Sequence, residues 1–206
     1  MRKPIIRVLA FAALAALGWP QATASAKSVH SQGKGKGALA SFTIVDECAP
    51  GVTFQTYVSI SATEQTVKMN GDVVNSLRTD VFVYGYNPCT NVLLYDYGTI
   101  YGGDLPMNAL ESASLVGHYV LQQGAVVDAN LTLTGTDEIN QGHSMSRQTF
   151  GPVMLVIREN GSSRTSSVAG TVTINGRVIT PSEMTDVSSN ISRSTSSDMT
   201  VIQAGN

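Results

Sequence analysis

The side chains able to do chemistry are few in this chain, and most stand alone. Of three histidines, His30 falls in a polar glycine-rich stretch and His143 in a polar loop, while His118 sits within Leu115-Val116-Gly117-His118-Tyr119-Val120. A strand histidine with a hydrogen-bond partner is the ordinary reading of His118, and a general base is the sharper one. No serine occupies a G-x-S-x-G elbow, so Ser-His-Asp hydrolysis has no anchor. H-E-x-x-H, phosphate-loop and dinucleotide-binding patterns are missing too. Asp137, Glu138 and Asn140 offer oxygens to calcium, but without EF-hand spacing or its closing glutamate they read as a solvated loop. Asp96 and Asp104 would make a glycosidase pair only if folding set their carboxyl groups about 5–10 Å apart. Neither a metal nor a cofactor is predicted.

Cys48 and Cys89 are the only cysteines, and both lie in proline-flanked, turn-like sequence. Two thiolates without a neighbouring histidine are too few for a zinc site, so a disulfide is predicted.

The tyrosines are the strongest pointer to function. Five of the seven fall between Asp80 and Tyr101, in DVFVYGYNPCTNVLLYDYGTIY, which reads as a β-hairpin around Asn87-Pro88-Cys89-Thr90-Asn91. A symmetric five-residue loop pairs Tyr86 with Val92, Tyr84 with Leu94 and Phe82 with Asp96. Phe82, Tyr84, Tyr86 and Asp96 then share the wetter face and form the candidate ligand surface. Val81, Val83 and Gly85 join Leu93, Tyr95 and Tyr97 on a face expected to be core. With both faces apolar or aromatic, the hairpin should lie centrally in a sheet. Tyrosines on a wet face can stack on sugars or peptides while their hydroxyls stay hydrated.

The elements that must position these residues are strands. Arg2, Lys3 and Arg7 precede an apolar run from Val8 to Leu17, followed by Ala22-Thr23-Ala24 and Ala24-Ser25-Ala26, so residues 1–26 read as a secretory signal peptide. Residues 27–38, KSVHSQGKGKGA, read as a flexible basic spacer, and 39–206 as one domain. Three of the thirteen bases lie in the leader, leaving ten against fifteen acids and a net charge of about −5. That excess of acid argues against a nucleic-acid partner.

Leu39–Val45, Phe54–Ala62 and Val126–Thr134 alternate apolar with polar residues as half-buried strands do. Asn70-Gly71, Asn160-Gly161 and Asn175-Gly176 are hairpin-turn signals. Val153–Ile157 is a continuous apolar run expected at the centre of a sheet, while Met184–Ile191 and Met199–Ile202 read as two thin strands. Leu105–Ser114 is the one plausible helical turn, with an irregular loop as the alternative.

The pattern predicts an all-β, antiparallel β-sandwich, with a closed or flattened barrel as the alternative. The function expected is a secreted or periplasmic domain with a non-catalytic binding or structural role, taking a glycan or protein partner through the tyrosine hairpin. A carboxylate-based glycan hydrolase and a small outer-membrane barrel are the competing readings. Against the latter, the predicted strands are mostly near or below the ~9–11 residues a spanning strand needs.

Overall fold

The fold is seen in a computed structural model that describes residues 27–69, 71–150 and 153–202. The predicted leader lies outside these residues. Side-chain alternation of period two, with few helix-forming runs, places most of the described chain in antiparallel strands. They are β1 (Lys27–Ala49), β2 (Val52–Met69), β3 (Asp72–Asn87), β4 (Val92–Tyr101), β5 (Met107–Asn108) and β6 (Ser112–Val120). Then come β7 (Val126–Gly135), β8 (Asn140–Phe150), β9 (Val153–Ile174), β10 (Arg177–Ile179) and β11 (Met184–Ile202), with one 3-10 turn at Pro181–Glu183.

The strands form one sheet in the order β4-β3-β2-β1-β11-β9-β7-β6-β5, with β8 and β10 also beside β9. The sheet folds over on itself at β9. The first half of that strand pairs with β11 and β8, and its second half with β7 and β10. Two layers result, so the architecture is a flattened sandwich made from a continuous sheet. Phe42, Val58, Ile60, Val81, Val83 and Ile191 line one inner face, and Leu115, Val127, Leu131, Leu133 and Val172 line the other. The path ends at β4 and β5, which do not pair with each other. The sheet is therefore not a closed barrel, whereas a membrane-spanning barrel requires closure.

Six strands run on beyond the two-layer body as a single-layer arm: β3, β2, β1, β11, β9 and β8. Here several expectations change. Residues 27–38 are no flexible spacer but the first half of β1, paired to β11 on one side and, from Ser31, to β2 on the other. Glycines at 33, 35 and 37 belong there because Ser196, Ser194 and Ser192 stand directly opposite. A Cβ at those positions would meet the serine hydroxyls at 2.4, 2.5 and 2.9 Å.

Asn160-Gly161 is no turn; both residues are paired on both sides within β9, so the backbone has no cause to reverse. Met184–Ile202 is one strand where two were expected, and most strands are longer than predicted. Val153–Ile157 lies between two strands as expected, but only half-buried because no second layer covers the arm. Leu105–Ser114 forms the short β5 and a turn, with Leu105 and Leu110 buried.

Candidate functional site: an aromatic sheet face

The hairpin that carries the tyrosines closes one residue tighter than its sequence implied. Asn87 pairs with Val92 as part of the ladder, leaving a four-residue loop, Pro88–Asn91. Asn87 Oδ1 accepts the backbone N–H groups of Cys89 (2.9 Å) and Thr90 (3.2 Å), and Asn91 takes a positive φ of 56°. An asparagine that satisfies the loop's own donors keeps the turn tight. Because side chains alternate with period two, this slip of one residue turns the whole of β4 over relative to the expected pairing. Tyr84 stands opposite Tyr95, Phe82 opposite Tyr97 and Tyr86 opposite Leu93.

The correction matters chemically. Tyr95 and Tyr97, expected in the core, join Phe82, Tyr84 and Tyr86 on the outer face. Tyr57 of β2, paired with Tyr84, extends the surface by one strand. The five tyrosines are each between 39% and 47% exposed, and Phe82 is half-buried among them. Phe82 and Tyr95 meet edge to face with centroids 5.7 Å apart, and Tyr84–Tyr95 and Tyr95–Tyr97 are each 6.4 Å apart at 84° and 70°. Tyr57 and Phe82 are 6.1 Å apart at 57°. The surface is therefore corrugated, with notches between ring edges and ring faces, and the packing holds each ring in place. Tyr86 Oη donates to Asn91 Oδ1 at 2.8 Å, tying the ring to the loop.

Asp96 is a second correction. The flipped register puts it on the inner face opposite Val83, where it is 1% exposed. Its Oδ1 accepts the N–H groups of Tyr97 and Gln123, both at 2.8 Å, and its Oδ2 accepts that of Ala125 at 2.9 Å. Burial pushes its pKa up, but the backbone amides gathered around it outweigh this and hold it below the usual carboxylate range. Asp96 thus latches the β6–β7 turn onto β4, and the Gln122 N–H bond to the Tyr97 carbonyl (3.0 Å) reinforces the join. It is a structural ion without access to ligand. Of the residues expected at the site, Phe82, Tyr84 and Tyr86 stay together on the outer face, Asp96 leaves, and Tyr57, Tyr95 and Tyr97 are added. Tyr57 could not be found from the hairpin alone, since its membership depends on how β2 pairs with β3.

The hairpin does not lie centrally as expected: β4 pairs with β3 alone, so the hairpin ends the sheet and β4 is an edge strand. Cys48 and Cys89 form the expected disulfide, with Cα atoms 6.0 Å apart, and it ties the end of β1 to the hairpin loop.

The hydrolytic candidates do not converge. Asp104 borders a shallow open cleft together with Glu64, Thr66, Asn75 and Tyr101. Glu64 is partnered by Lys36 Nζ at 2.9 Å and the Leu105 N–H at 3.1 Å. Burial raises its pKa, and those two partners more than reverse the effect, so it is held as an ion, the wrong state for a general acid. His118 is exposed on the outer face of β6 with Nδ1 2.5 Å from Asp128 Oδ1, the partnered strand histidine of the ordinary reading. Asp137 accepts from the Thr165 hydroxyl and, through its carbonyl, from Arg164 Nε. Among the described residues no three His, Cys, Asp or Glu side chains gather as a metal site would require. No helix among them is long and apolar enough to cross a membrane.

No protein-family model matches the chain, and no curated protein matches it. Among solved structures, the chain is similar to the crystal structure of a candidate AttH protein from Nitrosomonas europaea, at 10% identity and a TM-score of 0.34. The match covers 84% of this chain and 52% of that one, so this chain spans about half its length. At that similarity the likeness carries no inference about activity.

Proposed function

We propose that the protein is an exported, non-catalytic binding domain whose ligand surface is the outer aromatic face of β2–β3–β4. The observation that carries this reading is the set of six aromatic side chains, Tyr57, Phe82, Tyr84, Tyr86, Tyr95 and Tyr97, which one register brings to one half-exposed surface. Large apolar rings left in contiguous contact with water are characteristic of interaction sites. Tyrosine suits the role because its ring stacks while its hydroxyl stays wet. The leader sequence and the disulfide support export into an oxidising compartment.

A soluble glycan chain is the favoured ligand, since sugar rings present C–H faces to aromatic surfaces and hydroxyls to tyrosine oxygens. Affinity electrophoresis in gels containing xylan, mixed-linkage β-glucan or galactomannan tests the reading. Retardation by one of them that Tyr84→Ala and Tyr95→Ala each abolish, while both variants remain folded at the temperature of the gel, is the expected result. Equal retardation of variants and parent would remove this face from consideration. A protein partner is the second reading, favoured by the open edge of β4. Apart from its ladder with β3, that strand makes one further bond between backbones among the described residues, Gln122 N–H to Tyr97 C=O. An extended peptide could pair there and lay alternate side chains on the rings.

A further inference from the structure

The single-layer arm has two faces of opposite charge. Registers between the arm strands contain no slip along the arm, so residues on the core side of each strand can be followed outward to its tip. Seven of the ten bases beyond residue 26 fall on that one side. Two of them meet the second layer: Lys36 bonds the Leu105 carbonyl and Glu64, and Arg164 bonds Glu111 and the Asp137 carbonyl. The other five, Lys34, Lys68, Arg147, Arg158 and Arg193, lie further out and are exposed. None of these five forms an ion pair among the described residues. The acids Asp72, Glu159 and Asp198 lie on the opposite face.

The register groups the five exposed bases as a row of three and a pair, with Arg193 and Arg158 four residues apart across β11 and β9. Lys34 is diagonal to Arg193 on one neighbouring strand and to Lys68 on the other, and Arg158 is diagonal to Arg147. Each diagonal step crosses one strand spacing and two residues, about 8 Å. Between them stand Gln32, Thr66, Asn160, Thr195 and Ser197, short polar groups that bond hydroxyls. No Phe, Tyr or Trp lies on this side of the arm, so unpaired nucleobases find no stacking platform. The second layer rises beside the face at its inner end, making it a ledge and obstructing the flat approach of a bilayer.

We infer that this ledge binds a linear acidic polysaccharide, a uronate chain whose carboxylates meet the exposed bases while its hydroxyls meet the intervening polar side chains. The surface lies on the opposite side of the sheet from the tyrosines, and the inference stands independently of the reading given to them.

Isothermal titration of the full exported chain with polygalacturonate, and with its methyl ester as the uncharged control, tests this. Binding to the acid form only, weakening as salt rises, is expected. Replacing Lys34, Arg158 and Arg193 together by serine should reduce affinity roughly tenfold or more, since each neutralised contact contributes to counterion release. Arg158→Glu alone should do so in part, and serves if the triple variant folds poorly. Tyr84→Ala should leave this binding intact, which separates failure here from failure of the aromatic site. No binding at low salt, equal binding by Arg158→Glu, or tighter binding to duplex DNA or phosphatidylglycerol vesicles would each overturn the assignment.

Discussion

Replacing Asp96 by asparagine is the perturbation that asks most of the described geometry. Three backbone N–H groups converge on two carboxylate oxygens, and none can turn elsewhere without unlatching the β6–β7 turn from β4. Asparagine retains one oxygen. If that oxygen keeps Tyr97 and Gln123, the new NH₂ group faces the buried Ala125 N–H, donor against donor. One charge-assisted hydrogen bond is lost and one buried donor is stranded, for a cost of about 2–4 kcal/mol.

The cost should also depend on pH. The folded-state pKa of Asp96 lies below its unfolded value, so the carboxylate's contribution is complete above the ordinary carboxylate range and disappears as pH falls through the folded value. Urea unfolding of parent and Asp96→Asn, at pH 7 and in steps down to pH 2.5, reads both effects. The gap should be widest at neutral pH and narrow only under acid. A gap below about 0.5 kcal/mol at pH 7 would show that the amides do not depend on the carboxylate. A gap of constant size down to pH 2.5 would show that its charge is irrelevant.

Reducing the Cys48–Cys89 bond, or replacing both cysteines by serine, should lower unfolding free energy by about 4 kcal/mol, since the bridge closes a loop of 41 positions; denaturant melts with and without reductant read this. Gly170 has φ +106°, and a Cβ there would lie 2.0 Å from the Asn130 carbonyl oxygen, so Gly170→Ala should cost about 2 kcal/mol or more by thermal melt, with unchanged stability refuting the tight β7–β9 approach. Tyr95→Ala should cost only about 1 kcal/mol because the ring is half-exposed, against about 3–5 for Phe42→Ala in the core, and equal losses would mean the β4 register is wrong.

Much of the architecture could be read from residue order. Val127, Ala129, Leu131 and Leu133 are buried as their alternation implies, and Asn175-Gly176 makes its hairpin with both residues at positive φ. The cysteine pair followed from there being no other. What escaped was decided by longer-range pairing. Whether Asn87 belongs to a loop or to a ladder is a difference of one residue in a turn, yet it sends Tyr95 and Tyr97 to the surface and Asp96 inside. Lys34 and Lys36 looked like solvated linker because glycine alternates with them, and only the serines of β11, more than 150 positions away, explain those glycines. The ledge of bases was invisible for the same reason: its members come from five separate strands.

The position of β11 also has a kinetic consequence. This strand, the last described, is inserted between β1 and β9 and pairs with both over much of its length. Until it arrives, β1 has an open edge and no strand pairing connects it to β9. Contacts between Lys27 and Ile202 close a span of nearly the whole described chain, and such non-local pairing is slow to form. A nascent chain therefore stays unlocked until the 183 residues that precede β11 have been made. Refolding from denaturant should accordingly be a slow, single-step closure in which the N-terminal hairpins have no lasting stability of their own.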